Sequence, residues 1–367
     1  MGDGPSSVED VVSGSFFSEK TVLVTGHTGF KGSWLCHWLK RQGARVVGFS
    51  LPPATSPNLF DLANVASDME SRFGDVRDLA AVNAIVEVHR PEIVLHLAAQ
   101  ALVLPSYADP VETFATNVMG TTHVLDACRR SDSVRAVVVV TSDKCYENRE
   151  WVWGYRENEA MGGADPYSAS KGCAELVTAS YRRSFFRDGK RAGIASARAG
   201  NVIGGGDWAE HRLVPDIIRG ASNGDTILVR NPDATRPWQH VLDPLSGYLL
   251  LAEKLWSAPT DYAESWNFGP SDEIPIRALE LAQRLVAILG KGVLESAVAA
   301  AGSAPHEAHT LKLDCSKARA RLGWRPRLDV MAALELTARF YRAHMDDPTS
   351  ASRLLDQQID GFEKRTG

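Results

Sequence analysis

Three glycines spaced at three-residue intervals constrain the fold of this chain more than any other feature. Gly26, Gly29 and Gly32 lie between a β-branched segment at residues 21–24 and a helical pattern at residues 30–42. Glycines between a strand and a helix permit a tight turn, let the backbone approach a pyrophosphate and allow the helix to pack closely on the strand. The GxxGxxG spacing is weak evidence by itself, but its place at the first strand of an alternating sequence favours a dinucleotide site over a ligand-free turn.

Short β-branched runs and longer helical patterns alternate through the first two hundred residues. Such alternation predicts a parallel sheet with helices on both faces. After Asn201 the chain changes to consecutive glycines, several prolines and short elements. We therefore expect the α/β class, with a Rossmann-like doubly wound parallel sheet and a smaller mixed α/β substrate-binding lobe. The predicted strands are residues 21–24, 45–49, 93–97, 136–141 and 193–198, and the predicted helices are residues 30–42, 79–89, 113–130 and 167–186.

The expected domain boundaries follow from the same pattern. Residues 1–19 are expected to form a flexible leader and residues 20–203 the NAD-binding Rossmann domain. Segments near residues 239–256 and 265–268 have the pattern of a helix and a strand that return to the sheet, so about 238–270 is assigned to the first domain as return segments. The substrate-binding lobe takes residues 204–237 and 271–367.

Composition excludes several classes of function. Hydrophobic residues make up 44% and charged residues 23% of the 367 residues, which is typical of a globular protein. The net charge of −5, without a run of Lys or Arg, argues against a nucleic-acid partner. Five scattered cysteines without metal-ligand spacing predict reduced thiols, a cytoplasmic location and no metal. No apolar run approaches the roughly 20 residues of a transmembrane helix, and no secretory signal pattern is visible, so we expect no membrane association.

The spacing of Tyr167 and Lys171 is that of a Tyr-x-x-x-Lys pair on a predicted helix, which places both side chains on one face. A nearby ammonium favours the phenolate, so we expect Lys171 to lower the pKa of Tyr167 from about 10 and make it a general base. Ser142 follows the strand predicted at residues 136–141, at the edge of the sheet where sites form. The three residues predict a dehydrogenase half-site for a secondary alcohol.

The usual indicator of cofactor type is missing after the second predicted strand. An acidic residue about 20 positions beyond the glycines normally binds the adenosine ribose, but residues 49–52 read FSLP. The residues themselves therefore leave NAD and NADP open. Asp75, which is followed by Val76, is a candidate for contact with the adenine, with a helix N-cap or a turn as its alternative role.

Taken together, these residues resemble the extended short-chain dehydrogenase/reductase family from about residue 20 to residue 324, and within it the CDP-glucose 4,6-dehydratases. The segments that carry the resemblance are GHTGFKGSW at 26–34, HLAAQ at 96–100, TNVMGT at 116–121, TSDKCY at 141–146, ARAGNVIGGGDW at 197–208 and RPWQH at 236–240. The resemblance implies NAD as the cofactor, held by Gly26, Gly29, Phe30, Gly32, Asp75, Val76, Leu97, Ala98, Ala99, Tyr167 and Lys171. It also implies a homodimer or a dimer of dimers, formed through the helices at 113–130 and 167–186.

The reaction implied by this resemblance is the NAD-dependent dehydration of CDP-D-glucose to CDP-4-keto-6-deoxy-D-glucose, which makes the chain a lyase. C4 is oxidised, water is lost across C5 and C6, and hydride returns to C6. The implied catalytic residues are Ser142, Asp143, Lys144, Tyr167 and Lys171, with Tyr167 as the base at the C4 hydroxyl. By the same analogy Asp143 protonates the departing hydroxyl and Lys144 removes the C5 proton, although the sequence leaves open which of the two does which step.

The resemblance also implies a set of substrate-binding residues: Gln100, Asn201, Arg212, Arg236 and His306. Arginines are suited to the diphosphate because their guanidinium groups bind phosphate oxygens in a bidentate manner. Leu104 departs from the pattern, because the resemblance implies an arginine there, and this puts the affinity or the sugar accepted in doubt.

Other functions stay open beside the dehydratase. One is a nucleotide-sugar 4-epimerase or reductase of the same family, and another is a dehydratase for a different nucleotide sugar. The pair Asp143 and Lys144 discriminates against the epimerase, which has no use for it. A catalytically silent dinucleotide-binding protein is a further hypothesis, which the intact set of Ser142, Tyr167 and Lys171 argues against.

Overall fold

The computed structural model describes residues 16–187, 191–271, 276–296 and 310–365. Its strands are β1 (Thr21–Thr25), β2 (Arg45–Ser50), β3 (Glu70–Phe73), β4 (Ile93–His96), β5 (Ala136–Val140), β6 (Gly193–Arg198), β7 (Val202–Ile203), β8 (Thr226–Val229), β9 (Thr235–Arg236), β10 (Gln239–His240), β11 (Ser265–Asn267), β12 (Ile276–Arg277) and β13 (Val293–Ser296). Its α-helices are α1 (Phe30–Arg41), α2 (Leu59–Leu62), α3 (Leu79–His89), α4 (Val103–Ala108), α5 (Pro110–Phe114), α6 (Gly120–Arg130), α7 (Pro166–Phe185), α8 (Leu213–Asn223), α9 (Leu242–Ser257), α10 (Ala278–Leu289), α11 (Val330–Asp346) and α12 (Ala351–Glu363). The first fifteen residues of the expected leader and the candidate substrate residue His306 lie outside the described residues.

Seven strands form one parallel sheet in the order β3-β2-β1-β4-β5-β6-β11. The order runs outward in both directions from the neighbouring strands β1 and β4. The crevice beside the carboxyl ends of these two strands is therefore the topological switch point, where ligands bind in sheets of this type. This arrangement confirms the predicted Rossmann-like doubly wound fold.

The central strands are buried on both faces, as expected of a parallel sheet between helices. Their side chains alternate between two hydrophobic cores: in β5, Ala136, Val138 and Val140 belong to one core, and Val137 and Val139 to the other. Helices α1 and α9 pack in the first core, and helices α3 and α6 pack in the second. The carboxyl-terminal edge of the sheet is thus held between two packed layers.

After β6 the chain builds smaller elements beside the sheet and then returns to it. Strands β7 and β10 pair in parallel, β8 and β13 pair in parallel, and β9 and β12 pair antiparallel. Helices α8 and α10 pack together beside β8 and β13. Strand β11 joins the sheet edge in parallel with β6, and α9 packs against β5 and β6. The smaller part is thus of mixed α/β type, and the domain boundaries given above stay a prediction.

The helix predicted at residues 113–130 is interrupted in the structure. Helix α5 ends at Phe114, a π-helical segment covers Ala115–Met119, and α6 begins at Gly120. A Cβ at position 120 would lie 2.7 Å from Val76 Cγ2, so the glycine allows α6 to approach the end of β3 closely. Such single-turn π segments often mark functional sites.

The sequence places Asp75 and Val76 at the end of a third strand but does not give its bounds, because the four residues of β3 lie at the sheet edge, are partly or fully exposed and lack the apolar alternation of a strand. Among the described residues, no helix combines the length and the apolar character needed to cross a membrane.

Candidate active site

A cleft of about 660 Å³ lies at the carboxyl-terminal edge of the sheet, between the sheet and the smaller elements. Most of the candidate residues named from the sequence line it. From the sheet side these are Gly26, Gly29, Phe30, Gly32, Asp75, Val76, Leu97, Ala98, Ala99, Ser142, Asp143, Lys144, Tyr167 and Lys171, and from the other side Asn201, Arg212 and Arg236. The structure therefore brings the dinucleotide, catalytic and substrate candidates together in one cavity.

The glycine-rich turn between β1 and α1 has the close backbone approach that a pyrophosphate site requires. Gly26 has a φ of +76°, and a Cβ there would lie 2.7 Å from the backbone nitrogen of Ala98. A Cβ at Gly32 would lie 2.1 Å from the carbonyl oxygen of Gly26. The N-cap residue of α1 is Gly29, which has no side chain that could cap the first turn. The helix N-terminus is therefore suited to an anion. These residues fit a dinucleotide.

Asp75 and Val76 line the same end of the cleft, after β3. Asp75 Oδ2 accepts hydrogen bonds from Arg77 Nε at 2.8 Å and Arg77 Nη2 at 2.6 Å, which lower the pKa of the carboxyl below its usual value. The N-cap of α3 is Asp78, whose carboxylate accepts from the backbone of Ala80 and Ala81. The alternative role of Asp75 is therefore that of a turn residue, because its carbonyl accepts from Asp78 N at 3.0 Å.

Tyr167 and Lys171 lie in the first turns of α7, which begins at the N-cap Asp165 and has Pro166 as its first residue. Lys171 Nζ donates to the carbonyl of Val140, the last residue of β5, at 3.4 Å. Burial lowers the pKa of Lys171 to about 8, against the opposing effect of Glu175.

The prediction that Lys171 lowers the pKa of Tyr167 is wrong for this structure. Burial raises the pKa of Tyr167 to about 12, and the hydrogen bond with Ser142 lowers it only in part. The cost of placing a phenolate in a buried site thus exceeds the stabilisation that neighbouring groups supply. Tyr167 is a phenol at neutral pH in this state.

Ser142 and Asp143 lie in the 3-10 turn that follows β5. Ser142 caps the turn, because its Oγ accepts from Lys144 N at 3.2 Å and donates to Asp143 Oδ1 at 3.0 Å. The Asp143 side chain is buried, and burial raises its pKa while the neighbouring Lys144 opposes that effect. Its Oδ2 has no hydrogen-bond partner among the described residues. A buried carboxyl with a raised pKa, on a residue that lines a cleft, is suited to proton donation.

Two arginines and an asparagine reach the cleft from the other side. Arg236 lies on β9 and is buried, and Asn201 follows β6 with a φ of +36°. Arg212 Nη1 donates to Asp207 Oδ2 at 2.9 Å, and this ion pair raises the pKa of the arginine against burial. Leu104, the position at which an arginine was expected, also lines the cleft.

Gln100 has a different place from the one expected. It is not among the lining residues, because its side chain bonds to its own loop and to α5: Oε1 accepts from Leu102 N at 2.6 Å, and Nε2 donates to Leu102 O and to Thr113 Oγ1 at 3.0 Å each. Its backbone is held by Asn117, whose Oδ1 accepts from Gln100 N and whose Nδ2 donates to Gln100 O, both at 2.9 Å. Asn117 also donates to Ser170 Oγ at 2.8 Å, and so joins this loop to α7.

Lys31 was missed in the sequence analysis. It lies between Gly29 and Gly32 of the glycine-rich turn and lines the cleft. Burial and the positive charges of Arg212 and Lys171 lower its pKa to about 7, against the attraction of Asp143 and Asp207. The sequence did contain a signal for Lys31, because a lysine within a phosphate-binding turn is a candidate ligand of the phosphate.

The profile of the GDP-mannose 4,6 dehydratase family matches residues 23–337 of this chain. The chain is 50% identical to a CDP-glucose 4,6-dehydratase from Salmonella typhimurium, over 90% of this chain and 92% of that protein. Its structure is similar to that of the dTDP-glucose 4,6-dehydratase DesIV from Streptomyces venezuelae with NAD bound, with a TM-score of 0.76, 25% identity, and coverage of 90% of this chain and 99% of that one. It is also similar to that of a UDP-glucose 4-epimerase from Thermotoga maritima, with a TM-score of 0.75, 23% identity, and coverage of 89% and 99%.

Proposed function

Because this chain belongs to the GDP-mannose 4,6 dehydratase family, we propose that it is an NAD-dependent hydro-lyase that converts CDP-D-glucose to CDP-4-keto-6-deoxy-D-glucose. The observation that carries the proposal is the buried Asp143, which shares a cleft with Tyr167 and whose Oδ2 has no hydrogen-bond partner among the described residues. A buried acid of this kind serves an elimination that expels a hydroxyl. The identity to a relative named for CDP-glucose supports the choice of base and sugar.

The cleft residues that would hold NAD are those of the glycine-rich turn, Asp75 and Val76 after β3, the segment after β4, and Lys171. When bound, NAD supplies the two-electron oxidant for C4 and the matching reductant for C6, and its oxidised ring carries a positive charge. Glycines in this turn let the backbone approach the pyrophosphate. A side chain at Gly26 or Gly32 would also collide with neighbouring backbone, so the turn itself requires glycine at these two positions.

In its phenolate form, Tyr167 accepts the proton of the C4 hydroxyl as C4 becomes a ketone. Ser142 bonds to Tyr167 and holds the hydroxyl of the substrate in line with it. Lys171, one helical turn away, supplies a positive charge that favours the phenolate form of Tyr167 during this step.

The 4-ketone acidifies the proton on C5, and the elimination then needs one base and one acid. Lys144 removes the C5 proton. Asp143, which burial favours as the protonated acid, donates its proton to the departing C6 hydroxyl, so that water leaves. The carbon–oxygen bond at C6 breaks as the C5–C6 double bond forms.

Arg236, Arg212 and Asn201 are the proposed ligands of the substrate diphosphate, because all three line the cleft and guanidinium groups bind phosphate oxygens well. Leu104 contributes an apolar side chain to the lining. Gln100 and His306 stay candidates from the sequence alone: Gln100 does not line the cleft, and His306 lies outside the described residues.

A second candidate function is a nucleotide-sugar 4-epimerase or reductase. A UDP-glucose 4-epimerase shares the fold of this chain, and the cleft contains the residues that such a reaction needs. A 4-epimerase uses Ser142, Tyr167 and Lys171 and has no need of Asp143 and Lys144.

The assembly is proposed as a homodimer, or a dimer of dimers, through helices α5, α6 and α7. Apolar side chains are exposed on α5 (Val111 and Phe114), on α7 (Leu176 and Phe185) and in the π-helical segment that precedes α6 (Met119). A cytoplasmic location is proposed because Cys36, Cys128, Cys145 and Cys173 are free thiols, which persist in a reducing compartment.

The test is incubation of the purified protein with NAD and, separately, CDP-, UDP-, GDP- and dTDP-glucose, followed by mass spectrometry of the sugar nucleotide. Loss of one water from CDP-glucose alone is expected. The variants Tyr167→Phe and Lys144→Ala are expected to abolish it, while the matched controls Tyr262→Phe and Lys254→Ala, which lie outside the cleft, are expected to retain it. Conversion without a mass change would support the epimerase, and no conversion despite bound NAD would contradict the proposed substrate.

A further inference from the structure

A buried carboxylate beneath the candidate catalytic residues takes no part in the steps above. Glu175 lies on α7, one turn after Lys171, and only 3% of its side chain is exposed. Its oxygens accept hydrogen bonds from side chains of three other segments of the sheet. The donors are Thr141 directly after β5, Ser196 and Arg198 on β6, and Ser265 on β11.

The two oxygens of Glu175 divide these bonds unequally. Oε1 accepts from Thr141 Oγ1 at 2.5 Å. Oε2 accepts from Ser196 Oγ at 2.6 Å, Arg198 Nη2 at 2.7 Å and Ser265 Oγ at 3.2 Å. One oxygen thus bonds to the strand end that leads directly into Ser142, and the other is bonded to the neighbouring strands.

Stability alone does not account for this arrangement. Glu175 and Arg198 form a buried ion pair, in which only 3% of each side chain is exposed. Buried ion pairs are often replaced by apolar residues of similar volume without loss of stability, because desolvation offsets the attraction between the charges. The bond to Thr141, however, fixes the distance between α7 and the catalytic turn after β5.

The charge of Glu175 also acts on Lys171. Burial lowers the pKa of Lys171, and the carboxylate of Glu175 is the largest influence that raises it. The hydrogen bonds and the charge of Arg198 keep Glu175 ionised, since they lower its pKa to about 2 against burial. A permanently negative group therefore stands one helical turn below the lysine that stabilises the tyrosinate.

We propose that Glu175 is a positioning residue for the dehydration: its carboxylate holds the Thr141–Ser142–Asp143 segment in register with Tyr167 and Lys171, and it places a negative charge one helical turn from Lys171. The proposal rests on the proposed function, because its readouts are the turnover number and the pH profile of that reaction. A wild-type protein without dehydratase activity would contradict the proposed function, whereas the comparisons below test Glu175 in an active enzyme.

The first comparison separates the catalytic turn from the rest of the network. Thr141→Val removes the hydroxyl that bonds to Glu175 Oε1 and keeps the side-chain shape, while Ser196→Ala removes one hydroxyl from Oε2 and serves as the matched control. We expect Thr141→Val to lower kcat by about tenfold or more with KM for CDP-glucose within about twofold. We expect Ser196→Ala to keep kcat within about twofold. Equal values of kcat in the two variants would overturn the positional role.

The second comparison tests the charge. In Glu175→Gln the amide retains an oxygen acceptor, but Lys171 loses the neighbouring negative charge and releases its proton at lower pH. The alkaline limb of the kcat profile is expected to move down by about one pH unit. If the single variant does not fold, the double variant with Arg198→Met removes both buried charges and carries the same test. An alkaline limb that stays in place in a folded variant would overturn the electrostatic role.

Discussion

Gly200 packs directly against the carboxylate of Asp143, so that a Cβ at position 200 would lie 1.9 Å from Asp143 Oδ2. The backbone of Gly200 is itself fixed, because its carbonyl accepts a hydrogen bond from Gln239 Nε2 at 3.1 Å. The same Gln239 nitrogen donates to the carbonyl of Phe268 at 2.9 Å. The chain after β6 therefore determines where the proposed acid lies.

Replacing this glycine is expected to displace the acid and leave the fold intact, because the colliding atoms belong to the end of a side chain. Gly200→Ala should lower the rate of water loss from CDP-glucose about a hundredfold, the usual cost of misplacing a catalytic group by about 1 Å. The rate is measured by mass spectrometry of the sugar nucleotide. The control is Gly361→Ala on α12, where a Cβ meets no atom within 4 Å. A variant with normal turnover would show that Asp143 is not the acid.

Cofactor binding is expected to depend most strongly on Gly32. An alanine there places its Cβ 2.1 Å from the backbone oxygen of Gly26, so the glycine-rich turn must open. We expect Gly32→Ala to weaken NAD binding by about a hundredfold or more, measured by isothermal titration calorimetry. At Gly29 the nearest atom would be 3.4 Å away, so Gly29→Ala should cause a clearly smaller loss. Equal losses at both positions would contradict a steric role for Gly32.

The sequence was sufficient to predict the fold because local and long-range signals agree in the sheet. The strands at its centre are β-branched and buried on both faces, and helix α3 has the predicted bounds because Asp78 caps its first turn. The glycine-rich turn was likewise predictable, since close approach of backbones is a property of the glycines themselves.

Properties that depend on burial or on distant partners could not be predicted. The pKa of Tyr167 moves upward because the whole site is buried, which the spacing to Lys171 does not reveal. Hydrogen bonds to Leu102 and Thr113 hold the Gln100 side chain away from the cleft, and no pattern in the sequence indicates those partners.

The loop that holds Gln100 supplies a prediction about stability. Asn117 makes two hydrogen bonds to the backbone of Gln100 and one to Ser170, and it is 1% exposed. Asn117→Ala leaves these groups without their partner, so the free energy of unfolding should fall by about 2–4 kcal/mol. Ser170→Ala removes one of the three bonds and should cost about 1 kcal/mol. Urea unfolding measures both, and equal losses would contradict the role assigned to Asn117.

A buried carboxyl far from the catalytic residues is expected to make stability depend on pH. Burial raises the pKa of Asp243 to about 7, and its Oδ2 has no partner among the described residues. In the unfolded chain the pKa is about 3.9, so the stability contributed by the neutral carboxyl is complete below about pH 4 and is lost as the pH rises through 7.

Asp243→Asn removes this dependence. At about 1.4 kcal/mol for each pKa unit, the variant should be more stable than the wild type at pH 8 by at most about 4 kcal/mol, and equally stable at pH 4. Urea unfolding at both pH values measures the difference. The exposed residue Asp261 provides the control, since Asp261→Asn is expected to leave the pH dependence unchanged. A difference between Asp243→Asn and the wild type that is the same at both pH values would contradict the assignment.

The proposed dimer surface can be tested without touching the cleft. Leu176 is 59% exposed on α7, and Val111 is 78% exposed on α5, both on the outer side of the helices proposed to meet a second copy. A charge placed in an apolar interface is not compensated when the interface closes, so Leu176→Glu should convert the dimer to a monomer in light scattering coupled to size exclusion. Val293 on β13 is similarly exposed, at 66%, but lies outside both this surface and the cleft, and Val293→Glu should keep the wild-type mass. A wild-type protein that elutes as a monomer would exclude this assembly, and a Leu176→Glu variant that remains dimeric would place the interface elsewhere on the chain.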